Sequence, residues 1–383
     1  MFYRQMGEIP KKRHTMFKKD DGNLYREQVM GTKGFSGTQS ILYHHFLPTE
    51  VVKSTLIGSY LPEYETVDSL RHRHLLTEEI TKTGDALHAR QYSLGNSDLL
   101  IGTANVKKEM TSFYRNGDGD ELLFVHDGTG KIESMFGSLT YRPGDYIVLP
   151  IGTIYRVIPT TDTKFLIVES FSQITTPRHY RNEYGQLLEH SPFCERDIRG
   201  PEVLETYSEK GEFEVVTKSR GYLHSHILGH HPLDVVGWDG HLYPWVFNIE
   251  DFEPVTGRIH QPPPVHQTFE GHNFVICSFV PRMYDYHPEA IPAPYNHSNV
   301  NSDELLYYVE GNFMSRKGIK RGSITLHPSG IPHGPHPGTT EASIGKKETL
   351  ELAVMIDTFK PLKVVKQAEE IEDKNYMYTW IEK

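Results

Sequence analysis

Short apolar runs alternate with turn-forming residues along most of this chain. Between about residues 85 and 172, runs rich in Val, Ile, Phe and Tyr are separated by clusters of Gly, Pro, Asn and Asp. The clearest runs are residues 121–126, 132–136, 138–141, 146–149 and 164–170. Short strands with frequent turn signals are typical of an antiparallel sandwich or barrel. Asp-Gly and Pro-Gly pairs in the intervening segments favour tight turns and support the same prediction.

The pattern changes twice farther along the chain. Residues 175–235 are richer in charged residues, Pro and His, and we predict a connector with little regular structure there. A second strand-rich stretch follows at about 241–357, and residues 367–374 have a short helical pattern. We therefore predict an all-β protein with two antiparallel β-barrel lobes. The N-terminal lobe spans 1–174, the connector 175–235, and the C-terminal lobe with its helical tail 236–383.

One motif occurs twice, about 180 residues apart. In each copy an aromatic residue or histidine precedes a glutamate by seven positions, and a Pro-x-Gly-x-x-Tyr or Pro-x-Gly-x-x-His phrase follows. The key positions are Tyr114, Glu121 and Tyr155 in the first copy, and His297, Glu304 and His333 in the second. Repetition at this scale predicts two similar folding units.

The second copy has the composition of a metal site. Two imidazoles and one carboxylate from separate segments are the set that non-haem Fe(II) oxygenases use, because it leaves coordination positions open. We predict that His297, Glu304 and His333 bind Fe(II). Asp303 is an alternative carboxylate, but only Glu304 keeps the six-residue interval to Gly311, and adjacent strand residues face opposite ways. Neutral tyrosine, with a pKa near 10, is a poor iron ligand, so the first copy is predicted to hold no metal.

Composition narrows the class of protein. The chain has 383 residues, of which 23% are charged and 37% hydrophobic, as expected for a soluble globular protein. Its net charge of −10 gives no support for nucleic-acid or acidic-membrane binding. Two cysteines, Cys194 and Cys277, cannot form a disulfide framework. The start has no signal-peptide pattern, and no apolar run has membrane-spanning length. We therefore expect a cytoplasmic protein with no nucleic-acid or membrane partner.

Several phrases resemble a known family. The glutamate-to-glycine interval and Pro-x-Gly-x-x-His resemble the two conserved boxes of the cupin barrel, with Asn299 where cupins usually have a second histidine. Residues 294–299 resemble the first iron-ligand segment of the homogentisate 1,2-dioxygenase family, and residues 326–327 and 332–335 resemble its second. Residues 23–28 and 235–244 match other phrases of that family in the same order.

The resemblance implies a bicupin-like fold and a specific reaction. Fe(II), held by His297, Glu304 and His333, would support O2-dependent ring cleavage of homogentisate to maleylacetoacetate, in tyrosine and phenylalanine breakdown. It implies a homo-oligomer, a trimer or a hexamer. It also implies that His260 is the catalytic histidine that handles the phenolic proton of the substrate, for which a histidine pKa is suited. His266 is a competing candidate six residues on.

Substrate contacts are expected from Tyr295, Phe313, His327 and His333. Phe313 stands where the family usually has a tyrosine that contacts substrate, so gentisate or another hydroquinone-type aromatic is an alternative substrate. A second alternative is a cupin binding protein without turnover. His327 could instead orient a metal ligand, and Arg282 could bind a substrate carboxylate or form a structural ion pair.

Histidine is unusually frequent, with 22 in the chain. His224, His226, His230 and His231 have metal-like spacing, but no Cys, Asp or Glu completes the set at standard spacing. We predict that they lie on an exposed strand and loop, with adventitious metal binding as the alternative. His336 is expected either at the mouth of the second lobe or in solvent.

Overall fold

A computed structural model describes residues 2–67, 69–311, 313, 316 and 318–381. The strands of the first 170 residues are β1 (Arg4–Gly7), β2 (Arg26–Gly31), β3 (Gln39–His44), β4 (Lys53–Ser59), β5 (Arg73–Leu75), β6 (Thr83–Gly84), β7 (Arg90–Gly95), β8 (Leu99–Val106), β9 (Phe113–Asn116), β10 (Asp120–Asp127), β11 (Gly130–Ser134), β12 (Gly137–Tyr141), β13 (Asp145–Leu149), β14 (Ile154–Pro159) and β15 (Thr163–Ser170).

The later strands are β16 (Ile198–Arg199), β17 (Lys210–Ser219), β18 (Tyr222–His230), β19 (Val235–Gly240), β20 (Trp245–Asn248), β21 (Gln267–Gly271), β22 (Phe274–Phe279), β23 (Arg282–Met283), β24 (Asp303–Glu310), β25 (Ile324–His327), β26 (Glu348–Thr349), β27 (Leu352–Thr358) and β28 (Lys363–Val364). The α-helix α1 spans Thr339–Ser343. Short 3-10 helices span Lys33–Phe35, Thr77–Glu79, Arg178–Tyr180, Glu195–Asp197, Ile249–Asp251, Pro263–His266, Lys366–Ile371 and Tyr376–Trp380. The all-β prediction is confirmed, and the described tail is helical in 3-10 form.

Two large sheets build the first lobe and a smaller one builds the second. The nine-stranded sheet has the order β16-β20-β13-β10-β15-β8-β7-β28, with β6 added beside β8. The seven-stranded sheet has the order β12-β11-β14-β9-β17-β18-β4. The second lobe has the order β21-β22-β27-β24-β25-β5. A four-stranded sheet, β1-β19-β3-β2, and the pair β23-β26 complete the described strands. No helix of the described residues is long and apolar enough to cross a membrane.

The sequence repeat is a structural repeat. The neighbours β13-β10-β15-β8 of the first lobe recur as β25-β24-β27-β22 in the second. Asp120, the first residue of β10, accepts hydrogen bonds from two backbone N–H groups, those of Ile151 and Ile174 (2.9 Å each). Asp303, the first residue of β24, accepts the equivalent bonds from Ser329 (2.8 Å) and Leu362 (2.7 Å). In both lobes this aspartate fixes the start of the strand that presents the glutamate.

Glycines close the corresponding hairpins. Gly128 and Gly311 follow the repeated strands with φ of 94° and 102°. A Cβ on Gly311 would lie 2.7 Å from the carbonyl oxygen of Leu350, so a larger residue fits neither the backbone angle nor the space.

The prediction of an irregular connector is wrong for its second half. Residues 210–219 and 222–230 form the two long strands β17 and β18, which pair with each other and extend the seven-stranded sheet. β17 runs parallel to β9 and so joins the first lobe. The polar residues of segment 210–230 suggested a loop. They fit strands as well, because outer strands of such a sheet place many side chains in partial contact with water. The lobe boundaries at 174 and 235 stay a prediction.

The lobes exchange strands. β5 comes from the N-terminal half but pairs with β25 of the second lobe, and β28 from the C-terminal half pairs with β7 of the first. Buried hydroxyls also bridge the lobes: Tyr307 contacts His126 Nδ1 (2.9 Å) and Tyr146 contacts Ser278 (2.9 Å). The segment entering β5 thereby reaches the site described next.

Candidate metal centre

Three predicted ligands converge at one end of the second lobe. Glu304 is the second residue of β24. His297 and His333 lie in the segments before β24 and after β25, and two backbone hydrogen bonds join them, His297 N–H to His333 O (2.8 Å) and His333 N–H to His297 O (2.9 Å). One ligand atom from each residue lies within 4.8 Å of the others. The backbone pairing therefore holds the two imidazoles next to each other, with ring centroids 4.2 Å apart, beside the same carboxylate.

The distances fit a metal ion. Glu304 Oε2 lies 3.7 Å from His297 Nε2 and 3.4 Å from His333 Nε2. Neighbouring ligands around an ion with bonds of about 2.1 Å are separated by about 3.0–3.4 Å, so a small adjustment would complete the site. His333 is buried, and neither ring nitrogen has a hydrogen-bond partner among the described residues. A buried nitrogen without a partner is costly, and a metal would satisfy it.

The tautomer of His297 suits coordination. Its Nδ1–H donates to the backbone carbonyl of Tyr295 at 3.0 Å. Nε2 is then the unprotonated nitrogen of the neutral ring and faces Glu304. The close carboxylate of Glu304 raises the pKa of His297, so without a metal the ring tends to hold a second proton.

Glu304 is kept ionised despite its burial. Burial alone would raise the pKa of Glu304, but contacts from His297, His327 and His333 outweigh that effect and hold it well below its usual range. The cross-strand neighbour Asp357 behaves oppositely, since burial and then repulsion from Glu304 raise the pKa of Asp357 to about 8. One anionic carboxylate therefore remains at the site near neutral pH.

A hydrogen-bonded chain orients Glu304. His327 Nδ1 lies 2.7 Å from Glu304 Oε1, and His327 Nε2 lies 3.1 Å from the Tyr376 hydroxyl. Since a carboxylate cannot donate, His327 Nδ1–H donates to Glu304 and Nε2 accepts from Tyr376. Burial lowers the pKa of His327 to about 3, which keeps the ring neutral in this role. Oε2 of Glu304 is left directed toward His297 and His333.

The first lobe has a guanidinium at the corresponding carboxylate. Tyr114 and Tyr155 are paired across β9 and β14, as His297 and His333 are paired in the second lobe. Arg90 donates to Glu121 Oε1 and to the Tyr155 hydroxyl (2.9 Å), and Tyr155 donates to Glu121 Oε2 (2.6 Å). All of these side chains are buried. The arginine supplies the positive charge and fills the space that a metal would need.

Comparisons with known proteins identify the family of this chain. A family model described as homogentisate 1,2-dioxygenase N-terminal matches residues 79–249, and one described as C-terminal matches residues 255–382. A Saccharolobus solfataricus protein that is provisionally named a dioxygenase is 43% identical over 99% of both chains. The chain belongs to the homogentisate 1,2-dioxygenase family. A homogentisate 1,2-dioxygenase from Rhizobium rhizogenes is 26% identical, over 82% of this chain and 69% of its own. Among solved structures, a cupin 2 conserved barrel domain protein from Leptotrichia buccalis is 11% identical, covering 82% of this chain and 99% of that chain with a TM-score of 0.32.

His260 and Tyr295 form an exposed rim beside the ligands of this homogentisate 1,2-dioxygenase family member. The His260 ring packs edge-on to Tyr295 at 5.1 Å, and Tyr295 packs in turn against His297 at 5.9 Å. His260 Nδ1 lies 3.6 Å from Asp285 Oδ2, too long for a hydrogen bond. The side chains of both rim residues are at least half exposed, so a substrate can reach them.

The other proposed substrate residues differ in burial. Phe313 is buried and packs against Tyr308 at 4.5 Å, on the face of β24 that also carries Glu304. Arg282 is paired with Glu351 (3.0 Å) and donates to a backbone carbonyl, so the ion-pair alternative fits its contacts. His266 is buried against Phe279, and burial lowers its pKa to about 3.

Several neighbours of the site carry no sequence signal. His72 precedes β5 and reaches within 5.3 Å of the His327 ring and 6.2 Å of the His333 ring. The C-terminal Trp380 packs on His72 (4.9 Å) and donates to the carbonyl of Gly334 (3.1 Å). These residues lie far from the ligands in sequence, and the strand exchange that brings them together leaves no spacing motif.

Two expectations about other histidines are wrong. His336 is buried beneath the tail, with Nε2 2.9 Å from the Thr379 hydroxyl, and lies neither at the mouth nor in solvent. His230 and His231 are buried where exposure was predicted. The physical reason is aromatic packing, since the His230 ring stacks on Phe46 at 4.8 Å and the His231 ring packs against Tyr207 at 4.1 Å. Among the described residues, His297, Glu304 and His333 form the only group of three or more candidate ligands.

Proposed function

We propose that this protein is an Fe(II)-dependent dioxygenase that cleaves the ring of a hydroquinone-type aromatic acid. Homogentisate is the first candidate substrate, and maleylacetoacetate would be the product, in tyrosine and phenylalanine breakdown. The observation that carries the proposal is the convergence of His297 Nε2, Glu304 Oε2 and His333 Nε2, with Glu304 Oε2 3.7 Å and 3.4 Å from the two imidazole nitrogens. Membership of the family supports the reaction class.

The ligand set explains why iron suits this site. Two neutral imidazoles and one carboxylate carry one negative charge, so an Fe(II) complex would keep a net positive charge toward an anionic substrate. When bound, Fe(II) would bring a ring oxygen and O2 to adjacent positions and pass electrons between them. Tyr376 and His327 hold Glu304 in the orientation that this requires.

His260 is proposed to remove a phenolic proton from the substrate. Such protons have a pKa of about 10, so ionising the ring at neutral pH requires a positive charge and a positioned base. The Asp285 carboxylate lies on the Nδ1 side of the ring, and Nε2 is proposed to accept the proton from the substrate. His260 contacts the site through Tyr295 and is not grouped with the three ligands.

Phe313 favours a second candidate substrate. Its ring offers no hydroxyl, whereas the tyrosine that the family usually has at this position can hydrogen bond. Gentisate or another hydroquinone-type aromatic is therefore proposed as the alternative. We further propose a cytoplasmic homo-oligomer, a trimer or a hexamer, which sedimentation analysis would test.

Oxygen uptake after anaerobic loading with Fe(II) tests the function. Homogentisate, gentisate and hydroquinone would be compared in an oxygen electrode, with metal content measured in parallel. We expect uptake that requires both iron and one of these substrates, with homogentisate the best. Binding of a substrate without uptake would favour a cupin binding protein instead.

Substitutions at the ligands sharpen this test. His297→Ala, Glu304→Ala and His333→Ala are each expected to lose iron and activity while the fold persists. Full iron binding and activity in any of the three would remove that residue from the ligand set.

A further inference from the structure

A small cavity lies in the first lobe, away from the candidate metal centre. Its volume is about 40 Å3, and Gln28, His44, Arg115, Leu228, His230 and Asp234 contribute to its walls. None of the three candidate metal ligands lines it. Since a water needs about 10–15 Å3 measured in this way, the cavity has room for about three waters. A molecule of about five non-hydrogen atoms fits, and an aromatic ring does not.

His230 directs an unpartnered nitrogen into this region. The residue is 3% exposed, and its ring is stacked on Phe46 at 4.8 Å. Its Nδ1 lies 3.1 Å from the carbonyl oxygen of His231, so Nδ1 carries the proton and donates it. Nε2 is then an acceptor in the neutral ring, and it has no partner among the described residues. A ligand for this cavity needs a hydrogen-bond donor at that point.

Arg115 supplies a positive charge without a matching carboxylate. Its guanidinium is 3.1 Å from the Thr217 hydroxyl and 3.4 Å from His226 Nδ1. In the part of the chain that the structure describes, no Asp or Glu pairs with it, and burial lowers the pKa of Arg115. A partly buried guanidinium without a nearby anion lacks a stabilising electrostatic interaction. A carboxylate would supply that interaction, and its two oxygens match the fork geometry of the guanidinium.

The single acid in the wall is already satisfied. Asp234 accepts from the backbone N–H of Phe46 (2.8 Å) and is paired with His44 Nδ1 (2.7 Å). His44 Nε2 is in turn 2.9 Å from the side-chain amide of Gln28, so both ring nitrogens of His44 have a partner. Among the described residues of the wall, the polar groups still open to a ligand are therefore the Arg115 cation and the His230 imidazole acceptor.

We propose that this cavity binds a small 2-hydroxycarboxylate of the size of glycolate. The carboxylate accepts hydrogen bonds from the Arg115 guanidinium, and the hydroxyl donates to His230 Nε2. A single guanidinium favours a monoanion over a dianion such as phosphate. Because the imidazole requires a donor, the same acid without its hydroxyl binds more weakly, as sites built for a hydroxyl reject analogues that lack it.

Calorimetric titration of the whole protein with glycolate, acetate and phosphate, at constant ionic strength, tests the proposal. We expect glycolate to bind at least about tenfold more tightly than acetate or phosphate. The proposal is overturned if glycolate and acetate bind equally well, or if phosphate binds more tightly. It is also overturned if glycolate does not bind at 10 mM, about ten times a Kd of about 1 mM. This comparison needs no variant, so it stands even if substitutions disturb folding.

Two variants then locate the site. His230→Phe keeps a ring against Phe46 but removes Nε2, so it should reduce glycolate affinity to the acetate level and leave acetate unchanged. Arg115→Gln should weaken both acids by about tenfold or more. Arg178→Gln, at an arginine side chain that is 87% exposed, is the matched control. Glycolate binding that persists in His230→Phe, or that disappears in His333→Ala, overturns the assignment to this cavity.

Discussion

Replacing Arg90 by Met should destabilise the first lobe strongly while leaving the second lobe able to bind metal. Arg90 and Glu121 form an ion pair in which each side chain is only 1% exposed. The substitution keeps an unbranched side chain of similar length but removes the guanidinium. Among the described residues, Glu121 would keep the Tyr155 hydroxyl, at 2.6 Å, as its one hydrogen-bond donor.

The magnitude follows from the burial of the pair. Removing one partner of a buried ion pair typically costs about 3–5 kcal/mol, because the other charge is left without compensation. The remaining Tyr155 hydrogen bond should hold the value in the lower half of that range. In a domain of about 150–250 residues, each 1 kcal/mol shifts Tm by about 2–4 °C. We therefore expect a decrease in Tm of about 6–16 °C.

The double variant Arg90→Met, Glu121→Leu separates pairing from packing. With both charges removed, apolar side chains of similar size replace the pair, and much of the lost stability should return. Chemical unfolding followed by circular dichroism gives the free energies for a double-mutant cycle. Arg142→Met is the control, because its ion pair with Glu250 is exposed and should be worth less than about 1 kcal/mol.

Two results would refute this reasoning. If the single variant loses less than about 1 kcal/mol, or if the two substitutions are additive, the ion pair does not support the first lobe as described. Metal content is the second measurement. It should remain about one iron per chain in the single and the double variant. A wild-type protein that binds two irons tightly, one of them lost in Glu121→Gln, would show that the arginine does not exclude metal.

Four further predictions concern the candidate metal centre. Asp303→Asn should reduce stability by about 1–3 kcal/mol in chemical unfolding but keep iron, since Asp303 accepts backbone hydrogen bonds; loss of iron there would reassign the carboxylate ligand. His260→Ala should keep iron and substrate binding but lower kcat by about 10²–10⁴, and loss of iron would make it a ligand. Tyr376→Phe should weaken iron binding by up to about tenfold in equilibrium dialysis, because His327 loses its donor; unchanged affinity would deny the tail this role. Iron uptake by metal-free protein should fall as pH decreases through the raised pKa of His297, since the protonated ring cannot bind metal; pH-independent uptake would contradict this.

The sequence was sufficient for features that are local in the chain. Alternating apolar runs predicted the strands between residues 120 and 170, because turn residues delimit each strand and side-chain alternation depends only on neighbours. The repeated interval from glutamate to glycine predicted that Glu304, and not Asp303, faces the imidazoles. The structure supports that choice, since Asp303 points to two backbone amides on the other side of the strand.

The sequence was insufficient where the chain crosses between lobes. His72 approaches His327 and His333 only because β5 pairs with β25, more than 240 residues away. Tyr376 reaches His327 from a short 3-10 helix that lies 49 residues farther along the chain. Strands β17 and β18 were missed because their charged residues and histidines look like loop composition. Their order comes from pairing with β9 and β4, which is a long-range property.

Both lobes bury a glutamate at the same strand position, but different cationic groups stabilise its charge. A buried glutamate at this strand position requires positive charge in either lobe. In the first lobe Arg90 pairs with Glu121, and Lys218 pairs with the neighbouring Glu169. In the second lobe Asp357, at the place of Glu169, has a pKa raised to about 8 and is mostly protonated near neutral pH.

Because Asp357 is mostly protonated, Glu304 is the anionic member of the Glu304–Asp357 pair. Glu304 faces imidazoles instead of a fixed guanidinium. An imidazole can release its proton to accept a metal, whereas an arginine cannot, because its pKa lies above 12. In the first copy of the motif a permanent cation pairs with the glutamate, whereas in the second copy titratable imidazoles face it. This difference is therefore what would allow the second copy, and not the first, to coordinate a metal ion. Neither Arg90 nor Asp357 belongs to the repeated motif, so this difference becomes visible only when the strands are paired.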